Sequence, residues 1–316
     1  MGYPTTQNYM DQGGDRFTVG QEGEFRLLGA LTGGLYVKRY YVDNVNGAAE
    51  NDGLSWGTAF AQITTAVTAW EAFRAAETNV YARGAIFVRG TDPAYTKLTA
   101  LPSYCDIIGV GAESNGNGTG IVKIGADGAD GIAGTARGLG LYNLQIISGG
   151  AFWCCDFVNL FRSRIERCCF QAKDHATSGA IRFSSSSGGI NIINCHMTGS
   201  GNVIHAVGIQ VQGGNFDSCR IEDNIIIGTT AGVLIDNTCS TGLNGTAADN
   251  TIFRHNVIGD LGRGCVIAID DNSPAGMINY IENSVMGTSL ITCANNGAAR
   301  VHGNVSANGF VAVTAS

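Results

Sequence analysis

From about residue 140 the chain repeats a short unit, and this repetition restricts the available folds more than any other feature. The unit reads apolar-x-x-(Cys or Asn)-x-apolar. It occurs as Leu141…Leu144…Ile146, with Asn143 one place early, then as Ile165…Cys168…Phe170 and Ile192…Cys195…Met197. It returns as Phe216…Cys219…Ile221, Phe253…Asn256…Ile258 and Tyr280…Asn283…Val285. The key positions lie 24, 27, 24, 37 and 27 residues apart. A second unit, an alternating apolar run behind a glycine, falls between them at Gly179, Gly208, Gly232 and Gly264, and Leu290-Ile291 and Phe310 to Val313 continue it.

Short β-branched runs bounded by Gly, Ser and Asn are strands. Two or three of them per repeat of about 25 residues describe one coil of a parallel β-helix. Each coil then buries its inward side chains only against the coils above and below, and equivalent positions stack. Asn suits a stacked turn because its amide can bond the neighbouring rung. On this register Cys168, Cys195 and Cys219 share one column, buried and reduced, running into Asn256 and Asn283. A leucine-rich solenoid lacks support, since neither its consensus nor its helices are present.

Composition removes other classes. Only 14% of the 316 residues are charged and 44% are apolar, the reverse of a disordered chain. The net charge of −7, with no Lys/Arg cluster, speaks against nucleic acid or an anionic membrane as partner. No apolar run approaches the ~20 residues of a membrane span. Residues 1–21 show neither the basic nor the apolar region of a secretory signal. The ten cysteines include no C-x-x-C pair, so neither a zinc site nor a disulfide framework is expected, and free thiols fit assembly in a reducing cytoplasm. No cofactor is expected.

Ahead of the coils, Phe60, Ile63, Ala66, Val67, Trp70 and Phe73 follow a helical period. A helix over about 59–76 is expected to cover the open end of the solenoid. Two domains follow: an arm over 1–40 and a β-helix over 41–316.

Two resemblances extend this reading. Tyr40-Tyr41-Val42-Asp43, Asn51-Asp52-Gly53-Leu54-Ser55 and Ala59-Phe60…Ile63 resemble the N-terminal signature of pectin-lyase-like right-handed parallel β-helix proteins, with Ala85 to Val88 as the first coil strand. That superfold hosts lyases, hydrolases, epimerases and inert adhesins, so the resemblance implies the fold and not an activity. Thr5-Thr6-Gln7-Asn8-Tyr9, Gln12 to Gly20 and Gly23-Glu24-Phe25 resemble the opening of tailed-phage head-fibre and capsid decoration (cement) proteins. This implies a structural virion protein on the capsid surface, made in the host cytoplasm. The implied partner is the major capsid protein, and a homotrimer is expected. Tyr3, Tyr9, Phe17, Val19, Phe25, Leu27 and Leu28 are the candidate capsid-binding residues, scattered apolar groups in a polar, glycine-rich arm.

An enzymatic alternative, a tailspike-type hydrolase or lyase or a receptor for a surface glycan, needs carboxylates on adjacent coils. Asp236 and Asp270 each end a strand of the second ladder, with Asp271 beside them and Gln212 stacked before them on the expected register. An aspartate ending a strand more often caps a turn, and that is the reading adopted here. Lys173-Asp174-His175 reads as a solvated turn. Asp43, Glu50 and Asp52 lack the spacing of a Ca²⁺ loop.

Overall fold

A computed structural model describes residues 8–10, 16–18, 36–77, 82–91, 94–114, 120–126, 128–173, 175–199, 204–240, 251–260, 262, 264–273, 278–293, 301–306, 309–310 and 314–315. The chain is a parallel β-helix built from three stacked sheets. Sheet I stacks ten strands from Lys38–Val42 to Val301–His302. Sheet II begins with Lys123–Ala126, and sheet III runs through Ile132–Arg137, Trp153–Phe161 and Gly179–Phe183 to Thr314–Ala315. One coil visits each in turn, as in Arg164–Glu166, Cys169–Ala172 and Gly179–Phe183.

The repeat is the inward face of these sheets. In sheet I, Ile107, Leu141, Ile165, Ile192, Ile221, Phe253 and Tyr280 stand in register. In sheet II the column is Ile124, Ile146, Phe170, Met197, Ile226, Ile258 and Val285. In sheet III it is Ile132, Cys155, Ile181, Ile209, Val233, Ile269 and Ile291. All are buried. Each large apolar member contributes roughly 1.5–3 kcal/mol by leaving water.

The corner between sheets I and II turns on a single left-handed residue. Asn143, Arg167, Asn194, Asp223, His255 and Glu282 hold it at φ between 52° and 57°. The next residue points inward, forming the column Leu144, Cys168, Cys195, Asn224, Asn256, Asn283 and Asn304. From Asn224 onward this column is a side-chain ladder. Asn256, Asn283 and Asn304 each accept the backbone N–H and the amide N–H of the Asn one coil earlier, at 2.9–3.0 Å, and donate to a carbonyl of that earlier coil. Cys168 and Cys195 point their thiols at Leu141 and Ile165 carbonyls, a weak version of the same bond.

Cys219 is not in this column, contrary to the expected register. Ile221, three residues before Asn224, pairs with Ile192, so Asn224 is the equivalent of Cys195. Cys219 lies at the other corner, leading from sheet III into sheet I, where it stands level with Ile190 and Thr251. That corner also turns on one left-handed residue, Ser218 at φ 52°. The same turn chemistry at two corners writes the same apolar-x-x-Cys pattern twice per coil. All three cysteines are nonetheless buried and unpaired.

The N-terminal end is closed by the helix Ile63–Ala76, which buries Ile63, Ala66, Val67 and Trp70. It starts four residues later than the expected 59, because Phe60 extends to bridge Val42 and Gln62 is still in β conformation. Trp70 donates its Nε1–H to the Ser103 carbonyl at 2.8 Å, tying the lid to the coil beneath. Sheet I already begins at Lys38, inside the residues assigned to the arm. At the far end Gly309–Phe310 does not continue sheet III. It turns back antiparallel onto Val305–Ser306 of sheet II, and Thr314–Ala315 supplies the last parallel strand of sheet III.

Candidate functional site

The outward face of sheet I carries a different pattern from the inward one. Beside the inward column stand Ile108, Tyr142, Glu166, Ile193, Glu222 and Arg254. Towards the N-terminal end this face holds a cavity of about 580 Å³. Its walls are Tyr36, Tyr142, Arg164, Glu166, Arg167 and His196, with Glu113 at the rim and Asn143 and Asn194 from the corner.

Glycines create the space. A Cβ at Gly109 would sit 2.1 Å from the Asn143 carbonyl oxygen, so this strand end can carry no side chain. Asn143 then stitches the segment 109–114 to the corner: its amide donates to the Gly109 carbonyl at 3.1 Å and its Oδ1 accepts the Ser114 N–H at 3.1 Å. Two guanidinium groups hold Glu166, Arg164 Nε at 2.8 Å and Arg167 Nε at 3.8 Å on its other oxygen. Tyr36 donates its hydroxyl to Asp106 Oδ2 at 2.7 Å. Asp106 is fully buried and held by the fork of Arg83. Burial raises the Asp106 carboxyl despite that partner, and burial also raises the Tyr142 hydroxyl well above the usual phenol value. Two arginines against two glutamates leave the walls balanced in charge. With tyrosine rings, amides and carboxylates facing one space, the arrangement suits a neutral polyhydroxylated ligand.

The aspartates singled out in the sequence lie elsewhere and are not stacked neighbours. Asp270 stands opposite Leu234 and Asp271 opposite Ile235, so Asp236 falls one step beyond Asp271 and two steps beyond Asp270. Successive strand residues face opposite ways, so Asp271 is turned from Asp236, while Asp270 is displaced from it by two residues along the strand, about 7 Å. Gln212 and Asp236 do stack, each following a residue of the pair Val211 and Ile235. Asp236 caps a turn, its Oδ1 accepting the Thr238 N–H and hydroxyl at 3.0 and 3.1 Å. Asp270 is half-buried, and that burial lifts its carboxyl above the usual range, with the Asp271 charge adding to it. Asp271 points inward and accepts the Tyr280 hydroxyl at 3.1 Å and the Ser273 N–H at 3.0 Å. None of the three lines the cavity.

Asp43 and Asp52 likewise cap turns, through Val45 and Asn46 and through Leu54 and Thr58. Among the described residues no group of three or more His, Cys, Asp or Glu is arranged to hold a metal ion. No helix among them is long and apolar enough to cross a membrane. Of the candidate capsid-binding residues, Tyr9 and Phe17 face each other across a hairpin, Asn8–Met10 with Arg16–Thr18. Tyr3, Val19, Phe25, Leu27 and Leu28 lie outside the described residues, as does Asp174.

Fold and cavity together define a parallel β-helix protein with a polar, charge-balanced cleft on the outer face of one sheet. Compared with known proteins, the chain matches no protein-family model and has no significant match among curated proteins.

Proposed function

We propose that the chain is a structural virion protein of a tailed bacteriophage, a capsid decoration or head-fibre protein in which residues 1–40 attach a β-helix to the major capsid protein. One observation carries the reading: the solenoid closes itself without the strands Asn8–Met10 and Arg16–Thr18 of the arm. The helix Ile63–Ala76 supplies the lid, and the arm's hairpin pairs within its own two-stranded sheet, outside the three stacks. Strands that stand outside the three stacks are available to a partner. Burying its apolar groups there, at ~25 cal/mol per Å², offsets the ~1–2 kcal/mol per residue of ordering it. Three arms in a trimer would add avidity. Deleting residues 1–35 keeps Tyr36 and its bond to Asp106. The truncated chain is expected to retain its β-rich circular dichroism and melting temperature while losing incorporation into particles. Full occupancy by the truncated chain would refute the arm as anchor.

The cavity favours a second role for the same protein, holding a neutral surface glycan without cleaving it. Glu166 has both carboxylate oxygens engaged by arginines, which suits positioning better than proton transfer. On a glycan array, Tyr142→Ala is expected to reduce binding at least tenfold, about 1.4 kcal/mol or more. Release of sugar by the wild type, abolished by Glu113→Gln or Glu166→Gln, would instead establish a glycosidase.

A further inference from the structure

We infer that the corner carrying His205 is an acid-sensitive latch: protonation of this single imidazole opens the start of the strand Val207–Val211. The inference stands independently of the attachment and glycan readings. His205 is completely buried, and neither ring nitrogen has a hydrogen-bond partner among the described residues. A buried polar ring without partners is rare and destabilising. Its neighbours are small or apolar. On its own coil it lies between Ile204 and Ala206, and Ala206 and Val207 pack with Trp153 in a small cluster separate from the main core. The next coil meets this corner through Thr229 and Thr230, whose N–H groups donate to the His205 and Ala206 carbonyls at 3.0 and 2.8 Å.

Among the described residues, the charged and titratable groups around the corner are engaged with other partners or turned to solvent. On the preceding coil, Lys173 and His175 are exposed, and His175 bonds Thr177. Arg182 stacks over Trp153 and is paired with Asp156. Among the described residues no carboxylate acts on the ring. Burial therefore holds its pKa down to about 4, from an ordinary 6.5, and the nearby Ile227 backbone offsets this only in part.

The direction follows from linkage. A histidine depressed in the closed state binds its proton more readily when open. The closed corner is therefore fully favoured above pH 6.5 and loses that advantage as pH falls from 6.5 towards 4. The opening equilibrium should grow by up to about tenfold per pH unit in that window. Protonation would release the corner from its contacts with Ser178, Thr229 and Thr230 and uncover Trp153.

Hydrogen exchange measured by mass spectrometry on peptides covering 204–211, corrected for intrinsic rate, tests this on the full chain. Between pH 6.5 and 4.5 the wild-type opening constant is expected to rise by about 40-fold, with sheet I strands unchanged. His205→Gln and His205→Leu should each show a flat profile. Equal slopes in wild type and variants, or a flat wild type, would overturn the inference. Should neither variant fold, the wild-type imidazole NMR titration decides. Local native signals should vanish together with His205 protonation, whereas titration near 6.5 with the corner intact would sink it.

Discussion

Asn256→Ala is expected to cost about 2–6 kcal/mol of stability, because it strands two buried donors at once and removes a third hydrogen bond. Asn256 is 1% exposed. Its Oδ1 accepts the backbone N–H of Asn224 at 3.0 Å and the Asn224 amide at 2.9 Å. Its own amide donates to the Ile221 carbonyl at 2.8 Å. The Ile221 carbonyl still faces the paired strand Ile252–Arg254, so the two Asn224 N–H groups carry most of the loss. Each unsatisfied group costs about 1–3 kcal/mol, and the small void left by the side chain cannot supply replacements. Cys195→Ala in the same column is the control. It removes a thiol 3.7 Å from the Ile165 carbonyl and should cost only about 1–2 kcal/mol. Urea unfolding of both variants measures the difference. Equal costs would mean that the ladder is only a by-product of the stacking.

The inward face of the solenoid was legible in the sequence because stacking imposes one residue type per position, and the apolar columns of all three sheets follow from it. The corner was half legible. The 37-residue gap between Cys219 and Asn256 marked an error of register, and moving the key position to Asn224 replaces 24 and 37 with separations of 29 and 32. Pattern alone could not choose, since Phe216…Cys219…Ile221 and Ile221…Asn224…Ile226 both fit the unit, and only strand pairing separates the two corners. The cavity was not legible. Tyr36, Glu113, Tyr142 and Glu166 come from four separate chain passages, and each reads alone as an ordinary surface residue. A usable signal was present in the Arg164, Glu166 and Arg167 run, whose alternating charges sit on an outward strand face and the corner after it. The aspartates failed as candidates because Asp270 pairs with Leu234, two residues before Asp236, so the two carboxylates are displaced along the strands rather than stacked.

Arg83→Met should lower stability at pH 7 by about 3–5 kcal/mol, the cost of leaving a buried charge without its partner. Arg83 reaches Asp106 with Nε at 3.1 Å and with Nη2, and its Nη1 donates to the Gly138 carbonyl at 3.2 Å. The Asp106 side chain is 0% exposed, and no side chain can grow in to replace the guanidinium from Gly140, where a Cβ would lie 2.0 Å from Oδ1. Only the Tyr36 hydroxyl would remain on the carboxylate. Burial already raises this carboxyl, and losing the cation raises it further. A carboxyl raised in the folded state stabilises at low pH and loses that contribution as pH rises through its folded value, so the deficit should be smaller at pH 5 than at pH 7. Asp106→Asn added to Arg83→Met removes the charge and should recover most of the loss at pH 7. Because Tyr36 both anchors the root of the arm and walls the cavity, the single variant should also loosen these two features together. Guanidinium chloride unfolding at both pH values separates the causes. A double variant no more stable than Arg83→Met would place the loss in the packing of the arginine stem rather than in the unpaired charge.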